Sequence, residues 1–187
     1  MSSGTPIPID AVPTPNPHAV MLKVQEILVQ SGTHEFTPSD DTSGAPLASA
    51  LLALGGIELV LIAPRFVTLR KSPSTDWPEL IPMAKQAMRE FLASGQMAVM
   101  ELEDLDLDPQ AMGEVEQKII RLLDDEIRPA VAMDGGDINF MSFENGIVNI
   151  QMTGACGTCP SATETLKLGV ERLLMEEIPE VKGVEQI

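Results

Sequence analysis

The chain has 187 residues, of which 44% are hydrophobic and 21% are charged, and these proportions are typical of a globular protein with one or two small domains. Its 28 acidic and 12 basic side chains give a net charge of -16, which repels nucleic acid and anionic membrane surfaces and excludes both as partners. No apolar run approaches the roughly 20 residues that span a bilayer, so no membrane segment is predicted.

The beginning of the sequence predicts an extended segment and a cytoplasmic location. Five prolines within Met1–Pro17 disfavour helix and strand pairing, so residues 1–13 are predicted to form an extended arm. Met1–Val12 has no arginine and no basic segment followed by an apolar one, a composition unlike a secretory signal or a mitochondrial presequence. Because two cysteines are also too few for a secreted disulfide scaffold, we expect a protein of the reducing cytoplasm.

Residues 14–95 carry the alternating strand and helix patterns of a small α+β domain. Pro64-Arg65 separates two runs rich in β-branched residues, which predicts a hairpin, and Gly55-Gly56 predicts the end of a short helix. The predicted elements are a strand within His18–Val29, a polar loop at Ser31–Gly44, a helix at Pro46–Leu54, strands at Ile57–Ala63 and Phe66–Lys71, and a helix at Trp77–Ala93.

Residues 96–113 are predicted to be an acidic linker to a second α+β domain at residues 114–187. Within the linker, Glu101–Asp108 holds five acidic groups and no basic one, a pattern typical of a solvated connector. The second domain is predicted to have the order helix, strand, strand, helix, strand. Its elements are a helix at Glu114–Pro129, a turn at Asp134–Asp137, strands at Ile138–Phe143 and Ile147–Met152, a helix from Pro160 and a strand within Val181–Ile187.

Cys156 and Cys159 are the only cysteines, and they form a C-x-x-C pair between a predicted strand and a predicted helix. A helix N-terminus presents free N–H groups and partial positive charge, which favour the thiolate over the thiol. Tetrahedral zinc and ordinary iron–sulfur sites need four ligands, so one chain supplies half of such a site. The pair is therefore either a redox dithiol or half of a metal centre that two chains share.

The residues alone leave dithiol, zinc and iron–sulfur chemistry open. A thioredoxin-like dithiol is expected at a helix start within a βαβ unit, and the sequence shows no clear parallel crossover around the pair. Buried and inert cysteines are disfavoured, because a glycine-flanked loop does not need small apolar packing residues. Asp134-Gly-Gly-Asp137 is interpreted as a turn, since two carboxylates fall short of a calcium site.

Three segments resemble the C-terminal domain of NifU-like (Nfu-type) iron–sulfur scaffold and carrier proteins. They are Ile127-Arg-Pro-Ala-Val-Ala-Met-Asp-Gly-Gly-Asp-Ile138, Gly146-Ile-Val and Gly154-Ala-Cys-Gly-Thr-Cys-Pro-Ser161, within a resemblance that covers roughly Val115–Ile187. The first domain resembles the Nfu N-terminal domain through Thr14-Pro-Asn-Pro17, Ser43-Gly-Ala-Pro-Leu-Ala48 and Ile57-Glu-Leu-Val60.

This resemblance implies that Cys156 and Cys159 ligate an iron–sulfur cluster. The same pair from a second chain would complete a bridged [4Fe–4S] centre, so the cluster-bound form is expected to be a homodimer. The resemblance further implies a carrier, and not an enzyme, which receives its cluster from an upstream donor and transfers it to apo-proteins. The dithiol oxidoreductase and a structural dimer bridged by zinc are the alternatives.

Overall fold

The computed structural model describes residues 7–30, 32–100, 113–154 and 160–187, and describes side chains within 160–187 from residue 166 onward. The chain divides into two compact units, Met1–Leu102 and Glu103–Ile187. Helices and sheets occur in both units, so the predicted α+β class is confirmed. Across the described ranges, no helix has the length and apolar character needed to cross a membrane.

The first unit contains a five-stranded antiparallel sheet with two helices. Its strands are β1 (Asp10–Pro13), β2 (Ala19–Lys23), β3 (His34–Phe36), β4 (Ile57–Ala63) and β5 (Phe66–Lys71), in the order β1-β2-β5-β4-β3. The predicted hairpin of β4 and β5 is confirmed, with Ala63 opposite Phe66 next to the turn. The predicted strand in His18–Val29 is confirmed but ends at Lys23.

Two helices, α1 (Pro46–Leu52) and α2 (Trp77–Ser94), pack their apolar side chains into the core of this unit. Proline near the first turn of each helix costs no hydrogen bond, because the first helical N–H groups have no partner within the helix. The side chains of α2 that are buried recur every three or four residues, so they lie on one face of the helix. These are Leu80, Ala84, Met88 and Phe91.

The structure corrects three sequence predictions in the first unit. Asp10–Pro13, predicted as part of an unpaired arm, forms an edge strand, where proline is tolerated if its nitrogen faces away from the neighbouring strand. His34–Phe36, predicted as loop, pairs with β4 and buries Phe36. Three residues are too few to show the alternation of apolar and polar side chains by which a strand is predicted. Ala98 and Val99, predicted as linker, are buried in the core of this unit. The rest of that linker, from Glu101 to Met112, lies outside the described residues.

The second unit begins with a helical segment that continues past the predicted end at Pro129. It consists of α3 (Glu114–Leu122), a π-helical turn (Leu123–Ile127) and α4 (Arg128–Met133). Proline within a regular α-helix clashes with the carbonyl four residues earlier and removes a hydrogen bond. A wider π turn directly before Pro129 changes that spacing, which explains how the chain remains helical to Met133.

A three-stranded sheet follows, with the order β6 (Gly136–Glu144), β7 (Ile147–Gly154) and β8 (Gly183–Gln186). β6 and β7 form the predicted hairpin, and positive φ angles of 55° at Asn145 and 89° at Gly146 are those of the tight hairpin turn that Asn-Gly favours. β8 pairs with β7 in parallel, and the two are joined by α5 (Pro160–Glu177). The chain therefore contains the parallel crossover that the sequence did not reveal.

Helix α5 contributes Val170 and Leu174 to the core of the second unit. The carboxylate of Glu171 accepts a hydrogen bond of 3.1 Å from the backbone N–H of Val184, which ties α5 to β8.

Candidate metal centre

Cys156 and Cys159 lie in the connection 155–159, outside the described residues, so their assignment as ligands remains a prediction. The structure does describe both ends of this connection. It starts after Gly154, the last residue of β7, and ends at Pro160, the first residue of α5. The two cysteines therefore lie on the chain between a paired strand and an 18-residue helix.

The strand before the connection is paired up to its last residue. Gly136 lies opposite Gly154, and Asp137 lies opposite Thr153. Gly154 has a φ of 71°, in the left-handed region that glycine adopts without the penalty that a Cβ would bring. The cysteine-containing connection thus leaves a fixed strand end through a residue suited to a sharp change of direction.

Arg128 fixes the neighbouring end of β6. Its Nη1 lies 2.7 Å from Asp124 Oδ1, its Nε lies 3.0 Å from Asp137 Oδ1, and its Nη2 donates a hydrogen bond of 3.0 Å to the carbonyl of Ile138. The side chain of Asp137 is only 4% exposed, and a buried carboxylate is costly unless it is paired. β6 is an outer strand of its sheet. The hydrogen bond from Arg128 to the carbonyl of Ile138 therefore uses a backbone acceptor on the free edge of this strand.

The predicted turn at Asp134–Asp137 is confirmed in part. The backbone N–H groups of Asp134 and Gly135 donate to the carbonyls of Val131 and Ala132 at the end of α4, and Gly135 has a φ of 77°. Asp137 belongs to β6 and not to the turn, and it faces Arg128. Among the described residues, no three His, Cys, Asp or Glu side chains are grouped to hold a metal ion.

Thr153, the penultimate residue of β7, has a buried hydroxyl. Its Oγ1 is inaccessible to solvent and has no hydrogen-bond partner within the described part of the chain. Neither Arg128 nor Thr153 was singled out from the sequence. An arginine four residues after Asp124 and a threonine three residues before Cys156 were the available signals, and both patterns are common in proteins that have no such site.

The donor set suits a soft metal. Thiolates favour zinc and iron–sulfur centres, whereas calcium and magnesium take oxygen ligands. Because the chain has two cysteines, four thiolates require two chains. The Asp137 carboxylate is already matched by Arg128, so it is a poor candidate for an additional ligand.

Comparison with family models identifies both units. Residues 9–95 match the model described as scaffold protein Nfu/NifU N terminal, and residues 119–185 match the NifU-like domain. A solved structure of a NifU-like protein from Saccharomyces cerevisiae covers 54% of this chain and 91% of its own, with a TM-score of 0.50 and 23% identity. At that identity the likeness supports the fold alone.

Curated relatives match over nearly the whole chain. The Drosophila ananassae protein named "NFU1 iron-sulfur cluster scaffold homolog, mitochondrial" is 36% identical over 178 residues, which are 93% of this chain and 62% of the relative. The Arabidopsis thaliana protein named "NifU-like protein 4, mitochondrial" is 37% identical over 179 residues, 92% of this chain and 63% of its own length. The chain thus spans less than two thirds of the length of these relatives.

The names of these relatives correct one prediction and support another. The predicted cytoplasmic location is wrong by this comparison, because the relatives are named mitochondrial. That prediction depended on the residues with which the sequence begins, and those residues do not decide the compartment. The predicted family is confirmed: with an Nfu N-terminal domain followed by a NifU-like domain, the chain belongs to the Nfu-type, NifU-like family of iron–sulfur cluster scaffold proteins.

Proposed function

We propose that this protein carries an iron–sulfur cluster between two copies of the chain and transfers it to apo-proteins. The observation that carries the proposal is the match of residues 119–185 to the NifU-like domain, which contains the chain's only two cysteines. Cys156 and Cys159 from each of two chains supply the four thiolates that a [4Fe–4S] cluster needs. The cluster is the cargo of this homodimer, which acts as a carrier and not as an enzyme.

The surroundings of the cysteine pair suit this role. Helix α5 starts directly after Cys159, and the positive end of a helix of 18 residues stabilises thiolates near it. On the other side, β7 is held by its pairing with β6, which the contacts of Arg128 with Asp137 and Ile138 anchor in turn. A short connection between two fixed elements limits the entropy lost when both sulfurs are brought to one cluster.

Transfer proceeds by exchange of thiolate ligands. A client cysteine gives its proton to a departing Cys156 or Cys159 thiolate, one iron–sulfur bond forms as another breaks, and the charge on iron is unchanged. Repeating the exchange moves the cluster to an apo-protein that supplies its own cysteines. The reverse exchange, from a donor to the empty dimer, loads the carrier.

Anaerobic reconstitution of the full chain with iron and sulfide, followed by native mass spectrometry, tests the proposal. We expect two chains with about four irons and four sulfides, and transfer of the cluster to an apo-protein that requires one. Cys156→Ala and Cys159→Ala should each abolish cluster uptake. His34→Ala removes an imidazole, a side chain of a type that can ligate metals, from β3 in the first unit and should leave uptake unchanged.

One structural observation favours a second candidate, the dithiol oxidoreductase. The pair lies at the start of α5 within the parallel β7–α5–β8 unit, which is a context in which redox dithiols occur. A monomer that takes up no iron and reduces disulfides would establish this candidate and refute the carrier. A colourless dimer with one zinc ion would instead indicate a structural zinc bridge.

A further inference from the structure

Two large apolar side chains are exposed on helix α5. Leu168 is 61% exposed and Met175 is 45% exposed. They are seven residues apart, which is close to two helical turns, so both side chains lie on the same side of the helix. The side of α5 that packs into the core of the second unit carries Val170 and Leu174 instead. Leu168 and Met175 therefore form an apolar stripe that faces solvent.

The residues beside the apolar stripe leave room for a second helix. At Gly169, apart from its chain neighbours and the backbone of its own helix, no described heavy atom lies within 4 Å of the position that a Cβ would take. Arg172 lies between the two apolar residues, and its Nε is 2.9 Å from Glu176 Oε1 on the same helix. The charge of Arg172 is thus matched within α5, and its aliphatic stem can cover apolar surface.

The proposed carrier function limits how two copies of α5 can be arranged. Cys159 is bonded to Pro160, the first residue of α5, so their Cα atoms are about 3.8 Å apart whatever path the rest of the connection takes. When Cys159 of two chains ligates one cluster, the first turns of both α5 helices must lie close together. Antiparallel pairing through the stripe would instead separate the two copies of Pro160 by about 35 Å, at 1.5 Å per residue. One cluster cannot bridge that distance.

We propose that α5 packs in parallel against α5 of a second copy in the cluster-bound dimer, through Leu168 and Met175. The inference rests on the proposed carrier function. In a parallel pair with its two-fold axis along the helices, each residue meets its own copy, and a spacing of seven residues keeps both contacts in register. Helices packed in this way lie about 8–10 Å apart, so the two helix starts that follow the cysteines are brought together.

The small size of the apolar stripe determines when this contact acts. Specific, stable interfaces bury roughly 1,200–2,000 Å² in total, and two side chains from each chain fall far short of that area. The helix contact alone is therefore too weak to hold empty chains together. It forms once the cluster links two chains, and its effect should appear in the lifetime of the loaded dimer.

Charges placed on the apolar stripe of the full chain test the proposal. Leu168→Glu and Met175→Glu each set two like charges against each other in a parallel dimer, so an iron chelator should remove the cluster about ten times faster. Because both positions are exposed, the thermal midpoint of the empty protein should stay the same. Met83→Glu is the matched control, since Met83 is 47% exposed on α2 in the first unit, and it should leave the rate unchanged.

Mixed dimers test the direction of the two helices. Leu168→Glu chains are mixed with Leu168→Lys chains, reconstituted anaerobically with iron and sulfide, and counted by native mass spectrometry. Opposite charges then face each other only in the mixed dimer, so mixed dimers should exceed the half that random pairing gives. They should also keep the cluster about as long as the unmodified dimer does. Antiparallel packing would instead favour the pairing of Leu168→Glu with Met175→Lys.

The outcomes separate this inference from the function on which it rests. If the unmodified chain assembles no cluster, the carrier function and the inference both fail. If it assembles one between two chains, and Leu168→Glu and Met175→Glu lose it at the unmodified rate, only the inference fails. Random pairing of Leu168→Glu with Leu168→Lys, or preferred pairing of Leu168→Glu with Met175→Lys, would also overturn the parallel contact and leave the carrier function standing.

Discussion

Arg128 Nε lies 3.0 Å from Asp137 Oδ1, and this contact joins the helical segment of the second unit to the first residues of β6. The two residues differ strongly in exposure, with 39% of the arginine side chain exposed against 4% of the aspartate side chain. The aspartate is the member of the pair that depends on the contact, since it has little access to water. The strand it occupies is the partner of the strand that leads to Cys156.

Replacing Arg128 should destabilise the second unit. Breaking a buried ion pair by removing one partner costs about 3–5 kcal/mol, and the partial exposure of Arg128 reduces our expectation for Arg128→Met to about 2–3 kcal/mol. Hydrogen exchange measured by mass spectrometry on peptides from β6 and β7 should show the loss of protection. Peptides from β4 and β5 in the first unit serve as the internal reference.

Two variants make this prediction specific. Arg172→Met breaks the contact between Arg172 and Glu176, whose side chains are 81% and 59% exposed, and should leave the stability of the second unit essentially unchanged. Adding Asp137→Leu to Arg128→Met removes the unpaired carboxylate and should recover part of the lost stability. Equal effects of Arg128→Met and Arg172→Met would show that burial of Asp137 is unimportant.

Local sequence signals predicted the hairpins and most helices, because each of these depends on residues close in the chain. Asn145-Gly146 determines its turn through positive φ angles, and the spacing of Leu80, Ala84 and Met88 defines the inner face of α2. The π turn before Pro129 was not predicted, since a proline ends most helices that it enters. The parallel pairing of β7 with β8 depends on packing across α5, for which a single sequence has no short-range signal.

The candidate site was predictable to a different extent. The cysteine pair is recognisable because its C-x-x-C spacing is visible in the sequence and the chain has no other cysteine. The residues that hold the neighbouring strands in place are not recognisable in this way. Arg128 and Asp137 are nine positions apart and meet only because the chain turns at Gly135 between α4 and β6. The burial of the Thr153 hydroxyl depends likewise on the tertiary structure around β7.

Two glycines in the second unit should respond to alanine with opposite signs. Gly146 has a φ of 89°, and a Cβ there would lie 2.8 Å from Lys182 Cδ and 3.1 Å from the carbonyl oxygen of Glu180. The lysine side chain can move, but the backbone carbonyl is constrained, so Gly146→Ala should cost about 1–3 kcal/mol. It should also weaken the hydrogen bond of 2.7 Å from Lys182 N–H to the Gly146 carbonyl.

Gly169 lies within α5, and apart from its chain neighbours and the backbone of its own helix, no heavy atom among those described lies within 4 Å of the position that its Cβ would take. Because alanine favours a helix by about 1 kcal/mol over glycine, Gly169→Ala should stabilise the empty protein by up to that amount. Urea unfolding of both variants checks the pair of predictions. A loss of stability in Gly169→Ala would contradict the open environment that the structure gives this residue.

The loop before α1 offers a prediction about protonation. Thr37 donates hydrogen bonds of 2.7 Å to Asp40 Oδ2 from both its hydroxyl and its backbone N–H. These bonds favour the ionised carboxylate, and the hydroxyl contributes most to lowering the pKa of Asp40 below the ordinary aspartate value. A carboxyl whose pKa is lowered on folding stabilises the fold above its unfolded pKa. That contribution is lost as the pH falls through the lowered value.

Thr37→Val removes the hydroxyl and keeps the backbone donor, so the pKa of Asp40 should rise part of the way toward its ordinary value. Carboxyl carbon chemical shifts followed by NMR during an acid titration measure the change. Asp41 is the matched reference, because its pKa is lowered by hydrogen bonds from Ser43 and not from Thr37. Thr37→Val should leave the pKa of Asp41 unchanged, whereas Ser43→Ala should raise it slightly and leave Asp40 as it is. An Asp40 titration that is identical in Thr37→Val and the unmodified chain would exclude the hydroxyl as the main cause.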